Sequence, residues 1–291
     1  MERLVVQSPA KLNLYLRVVG RLPGGYHRLI TLFHRISLVD RLVLSKHARG
    51  FRLRTSHPSL ETGESNIVTR AYRLLEKKYP GLPGVDVFLD KRIPLQAGLG
   101  GGSSNAAFFL LGMKRLLGLP LGLRELARMG DTLGSDVGFF LHEVNQAVGE
   151  GRGEKIRPLP FRGERWFVVA LAEQGLSTPA VYREVRLPRR GASLTTHRRV
   201  ARIAFERLAE KNVIACTEGL YNDLEGPAIR LRPEIQKTMA LMFQLGAPAV
   251  AMSGSGPTVF AMWDYRKEAQ TFAKKLRGFV APARIRVCHT C

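Results

Sequence analysis

Residues 94–107 read Pro-Leu-Gln-Ala-Gly-Leu-Gly-Gly-Gly-Ser-Ser-Asn-Ala-Ala, with glycines at 98, 100, 101 and 102. Ahead of this stretch Val85, Val87 and Leu89 alternate with Asp86, Phe88 and Asp90 and lead into Ile93-Pro94, the pattern of a strand that ends at the glycines. Behind it Ser103-Ser104-Asn105 offers N-cap chemistry for a helix from Ala106 to about Leu117, stopped by Gly118 and Pro120. Strand, glycine loop and helix in this order make a phosphate cradle. The glycines remove each Cβ that would keep an anion at a distance, and the helix start adds free amides and the positive end of its dipole. The loop is not a Walker A motif, because the Lys-Ser/Thr ending is missing. It also fails the Gly-x-Gly-x-x-Gly fingerprint, since Ser103 stands at the third glycine position. A flexible linker or tight turn is the plainer alternative, but it accounts poorly for four glycines between a strand and a capped helix.

The remaining pattern is of mixed α+β type. Ile67, Ala71, Leu74 and Leu75 share a helical face between Asn66 and Pro80, a second helix is expected over Leu123–Leu133, and Ser135 is expected to cap a third with Asp136 in its first turn. Proline, glycine and charge between Pro158 and Glu164 mark a lobe boundary, giving an N-terminal lobe over 1–160 and a C-terminal lobe over 161–291. A strand follows at Trp166–Leu171. Thr178-Pro179 then opens a helix through Tyr182, and Pro233 opens one carrying Ile235, Met239 and Met242 and ending at Gly246. Strands at 249–252 and 258–262 flank a second glycine turn, Gly254-Ser255-Gly256, before a helix at 268–276 and a strand at 283–287.

Composition narrows the function classes. Among 291 residues there is no apolar run of about 18, and the opening MERLVVQSPAKLNL lacks the apolar core of a secretory signal, so the chain is expected to be cytoplasmic with no membrane partner. Three cysteines are too few for a disulfide framework. Cys288-His289-Thr290-Cys291 has metal-ligand spacing, but four consecutive residues cannot surround an ion and no second Cys/His cluster exists. No metal site is expected there, and the segment reads as a frayed tail. The net charge of +21 raises nucleic acid, anionic membrane or an anionic substrate as partners. The basic residues are scattered over 49–54, 77–78, 186–190, 198–202 and 274–277, without interleaved aromatics or a recognisable nucleic-acid motif, so no specific nucleic-acid partner is expected.

Residues 94–107 resemble the central motif of the GHMP kinases, which include galactokinases, homoserine kinases and mevalonate kinases. Ser8-Pro-Ala-Lys-Leu-Asn-Leu14 followed by Gly24-Gly-Tyr-His-Arg-Leu29 is similar to the opening of one branch, the 4-diphosphocytidyl-2-C-methyl-D-erythritol kinases. Leu133-Gly-Ser-Asp-Val-Gly-Phe-Phe140 resembles that branch's catalytic aspartate motif, and Met252-Ser-Gly-Ser-Gly-Pro-Thr258 its C-terminal glycine loop. The segments stand in the family's order and spacing over almost the whole chain. Gly24 replaces an acidic residue, Gly138 a usual proline, and Asn105 a residue that is often Asp.

The resemblance implies a two-lobed GHMP kinase fold, with a nucleotide-binding N-terminal lobe, a ferredoxin-like C-terminal lobe and the site in the cleft between them. It implies an ATP-dependent phosphotransferase that phosphorylates the 2-hydroxyl of 4-diphosphocytidyl-2-C-methyl-D-erythritol in the non-mevalonate route to isoprenoid precursors. Mg²⁺ would accompany ATP, held by the nucleotide's oxygens and Ser104. The resemblance makes Asp136 the general base and Lys11 its electrostatic partner. On residue type alone, Asp136 is equally a capping carboxylate, and Lys11 an edge charge that shares one strand face with Asn13. Nucleotide contacts are expected from Lys91, Pro94, Leu95, Gln96, Ala97, Gly98, Leu99, Gly100, Gly101, Gly102, Ser103 and Ser104. Substrate contacts are expected from Asn13, Tyr26, His27, Thr178, Tyr182, Gly254, Ser255 and Gly256, with Tyr26 and Tyr182 as aromatic walls and His27 as a hydrogen-bonding group for the cytosine ring. Asn222-Asp223-Leu224-Glu225 resembles a further family segment with a supporting role. A monomer or weak homodimer is expected. The rival readings are a sibling kinase for homoserine or a mevalonate derivative, and a basic nucleic-acid-binding protein with a relict kinase fold.

Overall fold

The computed structural model describes residues 2–187, 192–210 and 212–291, so that Arg189 and Arg190 of the basic stretch lie outside the described residues. Two compact units form: Met1–Ala10, Leu38–Ile93 and Gly100–Glu143 make the first, and Lys11–Ser37, Pro94–Leu99 and Val144–Cys291 the second. Strands β1 (Arg3–Arg21) and β2 (His27–His47) each supply residues to both.

The first unit adds β3 (Phe51–Thr55), helix α1 (Ile67–Lys78), β4 (Gly84–Asp90), α2 (Gly101–Leu117), α3 (Leu123–Leu133) and α4 (Val137–Leu141). β3 runs parallel to β4 from Phe51↔Val85 to Thr55↔Leu89, and β2 runs antiparallel to β4 from Arg41↔Asp90 to His47↔Gly84. The alternation predicted for β4 buries Val85, Val87 and Leu89, and Leu42, Leu44 and Leu53 bury beside them. Gly112 lets α2 approach closely, since a Cβ there would lie 3.1 Å from Val6 Cγ2 and 3.2 Å from Leu44 Cδ2. Asn66 caps α1 by accepting from Val68 N, and Glu125 receives the Gly122 N–H at the start of α3.

Two expected caps are corrected. α2 begins at Gly101 with Gly100 as N-cap at φ +68 and no side-chain cap, so Ser103, Ser104 and Asn105 lie inside the helix. Glycine tolerates that entry, and the serines were not needed for it. At α4 the N-cap is Asp136 rather than Ser135, and it makes no side-chain cap bond.

The second unit adds β5 (Gln146–Gly151), β6 (Lys155–Pro158), β7 (Trp166–Ala170), α5 (Thr178–Arg183), α6 (Leu194–Leu208), α7 (Val213–Cys216), β8 (Tyr221–Asn222), α8 (Glu225–Leu231), α9 (Glu234–Gln244), β9 (Val250–Met252), β10 (Val259–Trp263), α10 (Arg266–Leu276) and β11 (Ile285–His289). Ser177, not Thr178, is the N-cap of α5, with proline in the first turn. β11, β7, β10 and β9 form an antiparallel sheet in that order, the strand order of a ferredoxin-like β-α-β-β-α-β unit. Ile235 and Met242 of α9 and Phe272, Ala273 and Leu276 of α10 join Val168, Ala170, Val259 and Ala261 in one core. β5 pairs with β2 and β6, and β8 runs parallel to β1 through Tyr15↔Tyr221 and Leu16↔Asn222.

The C-terminal segment is not frayed. Cys288 is buried within β11, Thr290 bridges to Ile36, and the His289 amide donates to Ser37 Oγ at 3.0 Å. Backbone pairing, invisible in a four-residue motif, holds it. Among the described residues no three His, Cys, Asp or Glu side chains stand together as a metal site, and no helix is long and apolar enough to cross a membrane.

Candidate active site

In the second unit Lys11 is the centre of a buried polar cluster. Alternation along β1 turns Lys11 and Asn13 to one face, and Lys11 Nζ donates to Asn13 Oδ1 at 2.5 Å and to the Gly98 carbonyl at 3.1 Å. The Lys11 amide donates to Leu99 O at 3.0 Å, which fixes the first half of the glycine loop to β1. The Asn13 amide group donates onward to Thr31 Oγ1 at 2.7 Å, and Lys11 Nζ lies 5.6 Å from the Phe33 ring centroid. Burying an ammonium demands such partners.

The two glycine loops meet here. Ser253 Oγ donates to Gly98 O at 3.1 Å, and a Cβ on Gly98 (φ +74) would fall 2.2 Å from the Ser253 carbonyl oxygen. Only glycine fits at 98. Gly254 (φ +56) is packed closely as well, less tightly than Gly98: a Cβ there would lie 3.0 Å from Asn13 Oδ1 and 3.2 Å from Lys11 Nζ. Asn222 fixes the shape of this turn, donating its two amide hydrogens to Met252 O and Gly254 O and accepting from Leu224 N, while Glu225 accepts from Met252 N. Burial raises the Glu225 pKa, partly offset by that amide. Ser255 Oγ and Thr178 Oγ1 are 2.8 Å apart, joining the turn to the start of α5. Upstream in the loop, Gln96 adopts φ +51, and its carbonyl accepts from Leu176 N at 3.0 Å.

An aromatic pair lies in the same unit. Gly24 (φ +75) and Gly25 (φ +80) turn the chain sharply ahead of Tyr26 and His27. The His27 ring lies 5.2 Å from the Tyr182 ring with 31° between planes. His27 Nε2 is buried and has no hydrogen-bond partner among the described residues, and burial, then Arg21, lowers its pKa, which favours the neutral ring. Tyr26 stands half exposed, with the Arg152 guanidinium 5.0 Å from its ring centroid.

In the first unit Gly100, Gly101 and Gly102 form the entry to α2, with Gly102 exposed and Ser103 half-buried. Gly134 leads to Asp136 and packs against this turn, since a Cβ there would lie 3.5 Å from Ser103 Oγ. Asp136 is half-buried and makes no side-chain cap bond to its own helix. Ser104 is fully buried and accepts from Ser8 Oγ at 2.7 Å. The Lys91 ammonium is enclosed too, 2.5 Å from Asp40 Oδ2, with burial lowering its pKa against the pull of Asp40.

The model of the GHMP kinases N-terminal domain matches residues 66–144, and that of the GHMP kinases C-terminal domain residues 201–281. A 4-diphosphocytidyl-2-C-methyl-D-erythritol kinase of Exiguobacterium sibiricum is 36% identical over 277 residues, covering 95% of this chain and 94% of its own. One of Moorella thermoacetica is 38% identical over 277 residues, covering 95% and 96%. The chain belongs to the 4-diphosphocytidyl-2-C-methyl-D-erythritol kinase family. A crystal structure of a 4-(cytidine 5'-diphospho)-2C-methyl-D-erythritol kinase superposes on this family member with a TM-score of 0.82 at 35% identity, covering 98% of each chain. Homoserine kinase of Cytophaga hutchinsonii, at 17% identity and a TM-score of 0.73, shares the fold alone. As a GHMP kinase the chain is an ATP-dependent phosphotransferase.

Several residues that shape the kinase's loops carried no sequence signal. Ser253 was visible only as part of a glycine turn, although its hydroxyl ties the two loops together. Asn222 stood in a segment of supporting role, and the two carbonyls it holds are 30 and 32 residues away. Asp40 is fully buried inside β2, and a single aspartate in the sequence gives no sign of that burial.

Proposed function

We propose that the enzyme transfers the γ-phosphoryl group of ATP to the 2-hydroxyl of 4-diphosphocytidyl-2-C-methyl-D-erythritol in the non-mevalonate route to isoprenoid precursors. The observation that carries this reading is the His27–Tyr182 pair, with a buried Nε2 that has no partner among the described residues, beside an aromatic face. A neutral imidazole nitrogen of this kind suits the polar edge of a pyrimidine, and the rings suit its face. Homoserine and mevalonate have no base for such a pair to hold.

In this reading Asp136 accepts the proton of the 2-hydroxyl as its oxygen attacks the γ-phosphorus. The bond from that phosphorus to the β,γ-bridging oxygen breaks, and ADP leaves. Lys11, already fixed by Asn13 and Gly98, is the electrostatic partner of Asp136. Pro94 to Ser103 receive the phosphates of ATP, and Lys91 steadies the segment just ahead of this loop through its bonds to Asp40 and Ile93 O. Asn13, Tyr26, Thr178, Gly254, Ser255 and Gly256 complete the substrate contacts. The N–H groups of Gly254 and Ser255 enter no hydrogen bond among the described residues, so they suit a diphosphate. Mg²⁺ would accompany ATP, held by the nucleotide, and would offset the phosphate charge. Ser104 does not fit as a ligand, being fully buried and bonded to Ser8. In this reading the N-terminal domain runs over 1–160 and the C-terminal domain over 161–291, bounds that contain the matches at 66–144 and 201–281.

The test is ADP release from Mg-ATP with 4-diphosphocytidyl-2-C-methyl-D-erythritol, homoserine, mevalonate and phosphomevalonate in parallel. Release with the cytidyl compound alone is expected. Release with another acceptor overturns the substrate, and silence with all four overturns the activity.

A further inference from the structure

Asp40, near the middle of β2, is fully buried, and its carboxylate is saturated with donors. Oδ1 accepts from Arg92 N at 2.7 Å and Ile93 N at 2.8 Å; Oδ2 accepts from Lys91 Nζ at 2.5 Å and Asn105 Nδ2 at 2.8 Å. The second Asn105 amide hydrogen goes to Ser8 Oγ at 2.9 Å, and Ser8 in turn donates to Ser104 Oγ. Lys91 is neutralised by Asp40 and also donates to Ile93 O at 2.6 Å.

The partners stand in two places with one meaning. Lys91, Arg92 and Ile93 are the last residues before the loop that starts at Pro94, while Asn105 lies in the helix that the loop enters. One buried carboxylate therefore grips both flanks of the glycine loop. An ion pair kept only to neutralise Lys91 has no need of two backbone amides and a helical asparagine. A buried pair replaced by apolar residues of similar volume commonly loses no stability. What an apolar pair cannot do is hold those amides.

We infer that Asp40 is a positioning residue for nucleotide binding, which fixes the span and pitch of the loop at residues 94–104 by bonding the segment before it and the helix after it. This rests on the reading that the glycine loop receives the phosphates of ATP.

The experiment measures the ATP dissociation constant by calorimetry, with thermal unfolding and both KM values, for the full chain and three variants. Asp40→Asn keeps the shape but turns an N–H₂ toward groups that are themselves donors. ATP affinity should weaken at least tenfold while the KM for the cytidyl substrate stays within twofold. Because Asp40→Asn strands the Lys91 ammonium and can unfold the protein, Asp40→Asn/Lys91→Met removes that charge. It should recover thermal stability and keep the weakened ATP affinity. If ATP affinity returns to the wild-type value with stability, Asp40 only neutralises Lys91 and the inference is overturned. Gly102→Leu separates the two readings: its Cβ has only Ile67 Cγ2 within 4 Å, at 3.8 Å, so the fold accepts it while the exposed loop face is obstructed. Unchanged ATP affinity in Gly102→Leu sinks the phosphate-loop reading itself. Loss of affinity there with wild-type affinity in the Asp40 double variant sinks the Asp40 inference alone.

Discussion

Gly98→Ala is the smallest change that should disable the enzyme while leaving it folded. The added methyl would sit 2.2 Å from the Ser253 carbonyl oxygen, 2.9 Å from Gly256 N and 3.0 Å from Gly256 O, all backbone atoms that no rotamer change can clear. Carbon and oxygen do not rest closer than about 3 Å, so the two loops must separate by about 0.8 Å or more. An alanine at φ +74 adds about 1 kcal/mol of left-handed strain, and overfilling adds about 1–3 kcal/mol. The sum, about 2–4 kcal/mol, should lower the melting temperature by several degrees without abolishing folding. Gly98 O also holds Lys11 Nζ and Ser253 Oγ, so displacement reaches the polar cluster. A misplacement of roughly 1 Å reduces rate about 100-fold, which sets the expected fall in kcat/KM for ADP release. Gly81→Ala is the matched control, with the same sign of φ (+86) and no atom within 4 Å of the new methyl. It should lose about 1 kcal/mol of stability and no activity. Equal effects of the two substitutions on kcat/KM would refute the close-packing argument.

Three further outcomes are expected. Asp136→Ala should lower kcat by about 10²–10⁴ with ATP affinity nearly unchanged, and retention of a tenth of wild-type turnover removes Asp136 as the base. Tyr182→Ala should raise the KM for the cytidyl substrate at least about fivefold by removing one stacking face, with the KM for ATP unmoved; a matching rise in both would point to a general packing role. His34 is buried between Thr290 Oγ1 and Gln146 Nε2, and burial, then Arg165, brings its pKa from 6.5 to about 3. The unfolded chain takes up that proton first, so stability falls as pH drops from about 6.5 toward 3, by about 1.4 kcal/mol per unit from this residue. His34→Gln should flatten the slope of urea-unfolding free energy against pH by that amount, and an unchanged slope would show that His34 is not the titrating group.

Elements set by local pattern were readable from the chain. α3 spans Leu123–Leu133 as its apolar period predicts, and β4 follows its alternation. Pro233 marks the start of α9, and the glycine loops stand where four and two glycines made them conspicuous. Errors arose where two local rules competed. Ser103 and Ser104 have cap chemistry, but Gly100 at φ +68 had already turned the chain into the helix. Ser135 looked like a cap one residue too early, and the Cys288–Cys291 segment looked free because its partner, Ile36, is some 250 residues away. Long-range polar bonds were the least legible. Asp40 meets Asn105, Ser253 meets Gly98, and Asn222 meets Gly254 only after the chain has folded. Charge and spacing alone give no hint of those pairs.

The sharing of β1 and β2 between the units bears on how this protein can be cut. β8 needs Tyr15 and Leu16 as its strand neighbours, and the turn at Ser253 needs Gly98, so a fragment made of the second half of the chain would carry raw edges. A single protease nick should therefore release neither unit. Two separately expressed halves should recover a native fold only when mixed, and neither half is a cassette that could be grafted alone onto another protein.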